Sequence, residues 1–522
     1  MGDDAQAGVA DPLKPGLQVV AAPTEAEAGL KPARAEGSVA RHSTLNFIGS
    51  AVPIIIGFVT VPLYLRLIGP ERFGVLSIAW LLLGYFGLFD LGLGAATSFR
   101  IAALRDASRA ERARTFWTAL VVNLGLGVIG AAALWVAGDV FFGRVFKVDR
   151  VLRLEMLQGV PFLAAAVPIA TLTGVLYGSL QARQRFLSTN LVSILSTILF
   201  QVAPIVVASI YGPYLPSLLA TAILARCIPV LVMMVMCYGE LVRGQRPRID
   251  LVEVKALLGY GAWVTLAAIS GPILAFSDRF AIGAILGAVA VATYTIPFQL
   301  ASRIIILPSA LTTALFPRFV PASQADRVRV GQITTMTIAS LLTLPVVVAI
   351  VILRPFLDIW IGVAMAEKAA PVGRILLVGF WLNAFAYVPQ MQLQSSGRPR
   401  VVALILVLQI APYLAALYVG LSWFGLTGCA VVFCLRNAVD WALLGWGAGS
   451  AFKGWPLLLL DLGLLGAAVL LTGAPVVGAA QYAGLAVVAL IVLAVSWQTL
   501  PVDSRHLLLS RLRRLREATL HA

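Results

Sequence analysis

The chain has 522 residues, is 60% hydrophobic and only 12% charged, and carries a formal net charge of +15 with a mean hydropathy of +0.92. This excludes a soluble enzyme or binding domain, because apolar runs of about 20 residues recur from Leu45 to Leu500, each able to cross roughly 30 Å of hydrocarbon as a helix. β-barrel spans would be short and alternating, and nucleic-acid binding would need one concentrated basic domain, which is missing.

Residues 1–40 are rich in Ala, Gly, Glu and Pro and read as a disordered cytoplasmic tail without a signal peptide. Fourteen spans are predicted, beginning with 43–66 and 73–99 and ending with 455–473 and 477–499. The stretch RLIGPERFGV, residues 66–75, joins the first two through a Gly-Pro turn. Span 2 is apolar apart from Asp90, and an ionisable group inside a membrane span points to function. Lys and Arg gather on one side, after span 2 (Arg100 to Arg114), after span 6 (Arg243 to Lys255) and in the tail 501–522. That bias puts both termini in the cytoplasm of a multi-pass inner-membrane protein.

Gly287 precedes Arg318 by 31 residues, as Gly69 precedes Arg100 (318 − 287 = 100 − 69 = 31). The repeat divides the chain into two halves of six spans, 41–238 and 257–450, joined by a basic linker, 239–256. Spans 13 and 14, within 451–500, form an additional helix pair. Eleven prolines inside spans, Pro297 and Pro308 among them, suggest helices that bend around a cavity.

Buried charges are expected at Asp90, Arg226, Asp278, Arg279, Arg303 and the pair Arg436/Asp440. Asp278 and Arg279 are adjacent, about 100° apart on a helix, so they satisfy each other poorly and one should face a partner or ligand. Gln299, Ser302 and Arg303 lie at i, i+3 and i+4 and make one polar stripe. Arginine there suits phosphate, because its fork matches phosphate oxygens. The bland alternative is an interhelical salt bridge that only fixes packing. Asn383, Gln390 and Gln201 could bond sugar hydroxyls or other helices. Tyr294 and Trp381 could stack on sugars or pack in the core. The candidate substrate-binding set is therefore Arg279, Arg303, Asp278, Gln299, Arg226, Asn383 and Gln390, with Asp90 and Asp278 as ion-coupling residues for H+ or Na+. The four cysteines, Cys227, Cys237, Cys429 and Cys434, read as free thiols. No catalytic residue, metal cluster or nucleotide loop is found; the three histidines, His42, His506 and His521, lie outside the spans.

The opening Asn46-Phe47-Ile48-Gly49, the turn around Gly69, the run Asp90 to Gly94 and the stretch SDRFAIG at 277–283 resemble bacterial lipid-linked oligosaccharide flippases (Wzx-like) of the multidrug/oligosaccharidyl-lipid/polysaccharide exporter superfamily. The resemblance covers about residues 41–500. It implies an all-α membrane protein with two six-helix lobes in a V around a cavity. It also implies a monomeric transporter, not an enzyme, that carries an undecaprenyl-pyrophosphate-linked oligosaccharide to the periplasmic leaflet by alternating access. A polysaccharide polymerase and a chain-length regulator would be its partners, with membrane lipids around it. The alternatives are an ion-coupled drug/cation antiporter, a peptidoglycan-precursor flippase, and a membrane polymerase or ligase. Span 1 has no charge from Phe47 to Leu65, unlike the basic cluster of peptidoglycan-precursor flippases.

Overall fold

A computed structural model of the chain describes residues 35–85, 93–104, 107–251, 254, 273–450, 455–473 and 479–499. All regular structure among them is helical. In a bilayer this follows from the backbone, because a helix satisfies its own N–H and C=O groups where no water can. Eleven of these helices are long and apolar enough to cross a membrane. Fourteen spans were expected. The difference has two sources: α1 (Ala35–Tyr85) and α12 (Pro399–Gly447) each contain two helices, and most of the expected span 257–286 lies outside the described residues.

Gly69 (φ 77°, ψ 166°) and Gly425 (φ 59°, ψ −142°) break α1 and α12. Both sit in backbone regions that side chains exclude. Both are hairpins. Tyr64 and Trp80 are 16 residues apart, about 24 Å along a straight helix, yet their rings stack edge-on at 4.8 Å. Gln409 and Asp440 are 31 residues apart and hydrogen-bond at 2.8 Å. The residues from Pro70 onward thus form the returning arm of α1, as the Gly-Pro turn predicts. α1 opens at Ala35, inside the stretch expected to be tail.

The remaining helices are α2 (Leu93–Ala103), α3 (Arg109–Val140), α4 (Arg150–Ala182), α5 (Phe186–Tyr211) and α6 (Leu215–Cys237); then α7, helical over 273–285; and α8 (Ala288–Ala301), α9 (Ile306–Phe319), α10 (Gln324–Ile361), α11 (Val363–Ser395), α13 (Trp455–Gly473) and α14 (Ala479–Thr499). A capping box of Ser108 and Glu111 starts α3. Neighbours in sequence run antiparallel. One end therefore collects the glycine turns at 69, 212, 287, 362 and 425, all with positive φ. There Arg72 grips Glu155 by two bonds, at 2.6 and 3.1 Å, and Glu155 also accepts the Leu215 N–H. The other end collects Arg185 with Glu240 and Arg114 with Asp250.

α3 to α6 pack on one another and on α1 and α2, while α8 to α12 pack around α11, with α13 and α14 against α10. α11 is the most buried span, 78% of its central window against at most 50% for any other, which makes it the axle of the second group. The two groups meet chiefly along α1 and α8, and their contacts crowd the glycine-turn end. Gly74 touches the Ala288 backbone, Phe146 covers Gly283, the Lys147 ammonium donates to Ile285 O at 2.8 Å, and the Trp360 indole donates to Phe58 O at 2.8 Å. The cysteines are free thiols.

Candidate substrate cavity

Beneath that closed end lies a cavity of about 460 Å³ between the returning arm of α1, α7, α8, α11 and the second arm of α12. Its size falls in the range of small-molecule sites. Arg279, Arg436, Gln299, Ser302, Asn383 and Asn437 supply its polar wall, and Trp80, Phe276, Phe298, Phe380 and Phe433 its aromatic one. No carboxylate lines it among the described residues.

Arg279 is 3% exposed, and its guanidinium stacks 3.6 Å from the Phe298 ring centroid. One nitrogen donates to Ala275 O at 2.7 Å and lies 3.4 Å from Asp278 Oδ1. The sequence reading of a mutually unsatisfied pair is thus corrected. Helical side chains lean toward the N-terminus, and in reaching back one turn Arg279 passes beside its neighbour's carboxylate. Asp278 also accepts the Arg279 backbone N–H at 2.7 Å and the Tyr294 hydroxyl at 2.9 Å. Asp278 is buried and does not line the cavity, whereas Arg279 does.

Arg436 is half-buried, with its guanidinium 5.7 Å from the Tyr413 ring centroid. The i,i+4 spacing suggests a bond to Asp440, but Asp440 accepts from Gln409 on the opposite arm. The Nε–H groups of Arg279 and Arg436 and the indole N–H of Trp80 have no acceptor among the described residues. The wall therefore offers donors and positive charge, which suits an anionic, oxygen-rich group.

Gln299 and Ser302 line the cavity as their spacing predicts, and Arg303 does not: it is exposed. Ser302–Ile305 is a 3₁₀ turn between α8 and α9. Three residues per turn advance each side chain by about 120° rather than 100°, so the α-helical stripe is not continued beyond Ser302. Asn383 is at the wall, donating to Asn437 Oδ1 at 2.9 Å. Gln390 is half-buried on α11 and is not a lining residue of this cavity. Tyr294 and Trp381 are core residues, and Gln201 bonds Thr60 on α1. Asp90 lies outside the described residues. Arg436 and Asn437 escaped the candidate list although Arg436 was legible as a buried charge.

Arg226 sits apart, in a second cavity of about 340 Å³ among α4, α5, α6 and Leu83. It donates to Leu83 O at 3.3 Å and lies 4.3 Å from the Phe200 ring centroid. Hydroxyls from Thr173, Tyr177, Thr189, Ser193, Ser196 and Thr197 surround it.

The pattern of the family described as "Polysaccharide biosynthesis protein" matches residues 39–324, more than half of the chain. A Shigella flexneri protein named "Putative O-antigen transporter" is 28% identical over 410 residues, covering 78% of this chain and 97% of that protein. Among solved structures, a lipid II flippase MurJ in an inward closed conformation aligns with TM-score 0.63 at 13% identity, over 88% of this chain and 99% of its own. An inward-facing multidrug resistance MATE family transporter of the MOP superfamily aligns with TM-score 0.59 at 18% identity, over 80% and 98%. These two share the fold. The family rests on the matched pattern, and with the membrane-spanning helices it makes this chain a multi-pass membrane member of the polysaccharide biosynthesis protein family.

Proposed function

We propose that the chain is a flippase that moves an undecaprenyl-pyrophosphate-linked oligosaccharide repeat unit, for exopolysaccharide, capsule or O-antigen, from the cytoplasmic to the periplasmic leaflet of the bacterial inner membrane. The observation that carries this reading is the cavity of Arg279 and Arg436, which combines guanidinium, amide and aromatic groups and, among the described residues, has no lining carboxylate. Guanidinium forks suit a pyrophosphate, amides suit hydroxyls, and rings suit the apolar faces of sugars. A cation antiporter would need an acidic cavity wall, so the same observation disfavours it.

Transport by alternating access fits the packing. The two groups of helices touch chiefly along α1 and α8 and close at the glycine-turn end. If the arginine-rich end is cytoplasmic by the positive-inside rule, this is a cytoplasm-facing state. Rocking about the α1–α8 seam would open the other side. Pairing of Asp278 with Arg279 leaves H+ or Na+ coupling there as a property of other states of the cycle.

A deletion strain tests the reading. Lipid-linked repeat units should accumulate, complete but unpolymerised, on the cytoplasmic leaflet, as read by protection from an added glycan-oxidising reagent in right-side-out vesicles. Accumulation on the periplasmic face would reject the flippase in favour of a polymerase or ligase.

A further inference from the structure

Asp461 lies on α13, between Leu460 and Leu462, and is 5% exposed. Its Oδ2 is 3.3 Å from Thr343 Oγ1 on α10. That hydroxyl has two other partners: it donates to Ala339 O at 2.8 Å and accepts the indole N–H of Trp381 at 3.0 Å. A hydroxyl owns one proton and two lone pairs, an indole can only donate, and a carbonyl can only accept. The shorter bonds therefore use the proton and one lone pair. Only a lone pair is left to face Asp461. A carboxylate, acceptor-only, cannot bond to it, whereas a carboxylic acid can.

Among the described residues, no cation compensates for a charge at this place. α10 carries Asp326, Arg327 and Arg329, and Arg354 paired with Asp358; α11 carries Glu367, Lys368, Arg374 and Tyr387; α14 carries Tyr482. None is within hydrogen-bond or ion-pair distance of Asp461. Arg354 is 354 − 343 = 11 residues from Thr343, about 16 Å along α10, and Arg374 is 381 − 374 = 7 residues from Trp381, about 10 Å along α11.

We propose that Asp461 is a proton-binding site, a neutral carboxylic acid that donates to Thr343 and docks α13 against α10 and α11. Loss of the proton to water sets two acceptors against each other and strands a charge among apolar side chains, so α13 must shift to let water in. The carboxyl is thus an ionisable coupling group outside the repeated spans, whatever cargo the central cavity holds.

Infrared spectra of the full chain in lipid vesicles at neutral pH test this. A carboxylic-acid C=O band is expected, lost in Asp461→Asn, unchanged in Asp440→Asn, and moved to higher frequency in Thr343→Val, where the acid has lost its acceptor. A spectrum in which neither Asp461→Asn nor Thr343→Val alters an acid band overturns the proposal. Should Asp461→Asn not reach the membrane, the shift in Thr343→Val decides.

Discussion

The two cavities on either side of the returning arm of α1 hold the same residue type in different degrees of commitment. Arg279 is enclosed, paired with Asp278, bonded to Ala275 O and stacked on Phe298. Arg436, across the same cavity, lies against a ring and makes no ion pair within 4 Å among the described residues. Arg226, in the other cavity, has a carbonyl, a ring and a collar of hydroxyls. A guanidinium already neutralised is wall, while one without a carboxylate keeps its charge for an arriving anion. On the proposed function the difference would divide labour: Arg279 shapes the chamber, Arg436 meets the anion, and the Arg226 cavity offers hydroxyl-rich surface.

The most damaging test of that division is Arg279→Ala. It strands Asp278 in a buried site, at about 3–5 kcal/mol, so loss of folded protein is expected, read as membrane level and thermal unfolding in detergent. The double variant Asp278→Asn/Arg279→Gln should keep the protein in the membrane. A stable Arg279→Ala protein would show the pairing to be incidental. Next, Arg436→Ala should leave membrane level unchanged and cut surface polysaccharide at least about tenfold, as truncating one side of a buried charge contact costs about 2 kcal/mol or more. Normal polymer in this variant would remove Arg436 from the site. The smallest effect is expected for Arg226→Ala, about fivefold for one lost hydrogen-bonding group. Arg303→Ala should stay within about twofold of wild type because its side chain is exposed. A reversed order of these two would mean that the 3₁₀ turn unwinds during transport.

Much of this was legible in the chain. Apolar run length gives the helices, and the shared 31-residue spacing after Gly69 and Gly287 marks two turns of the same positive-φ form. Gln299, Ser302, Asn383 and Arg279 reach the cavity that their polarity implied. Arg303 misses it because a single 3₁₀ turn changes the angular step, which helical periodicity cannot anticipate. Arg436 and Asp440 look like partners on one helix, and only the hairpin at Gly425 brings Gln409 to Asp440. Asp461 was readable by the rule that singled out Asp90, a carboxyl in an apolar run, but its partner Thr343 is 118 residues away (461 − 343).

The seam at Gly74 has its own consequence. A methyl carbon there would sit 1.9 Å from the Ala288 carbonyl oxygen, and backbone cannot swing aside as a side chain would. Anything larger than hydrogen at this position is a wedge in the line where the helix groups meet. On the proposed rocking of the two groups, steric bulk alone would tilt the balance between shut and open, giving a way to populate the opposite face of the transport cycle while leaving every cargo-facing group as it is.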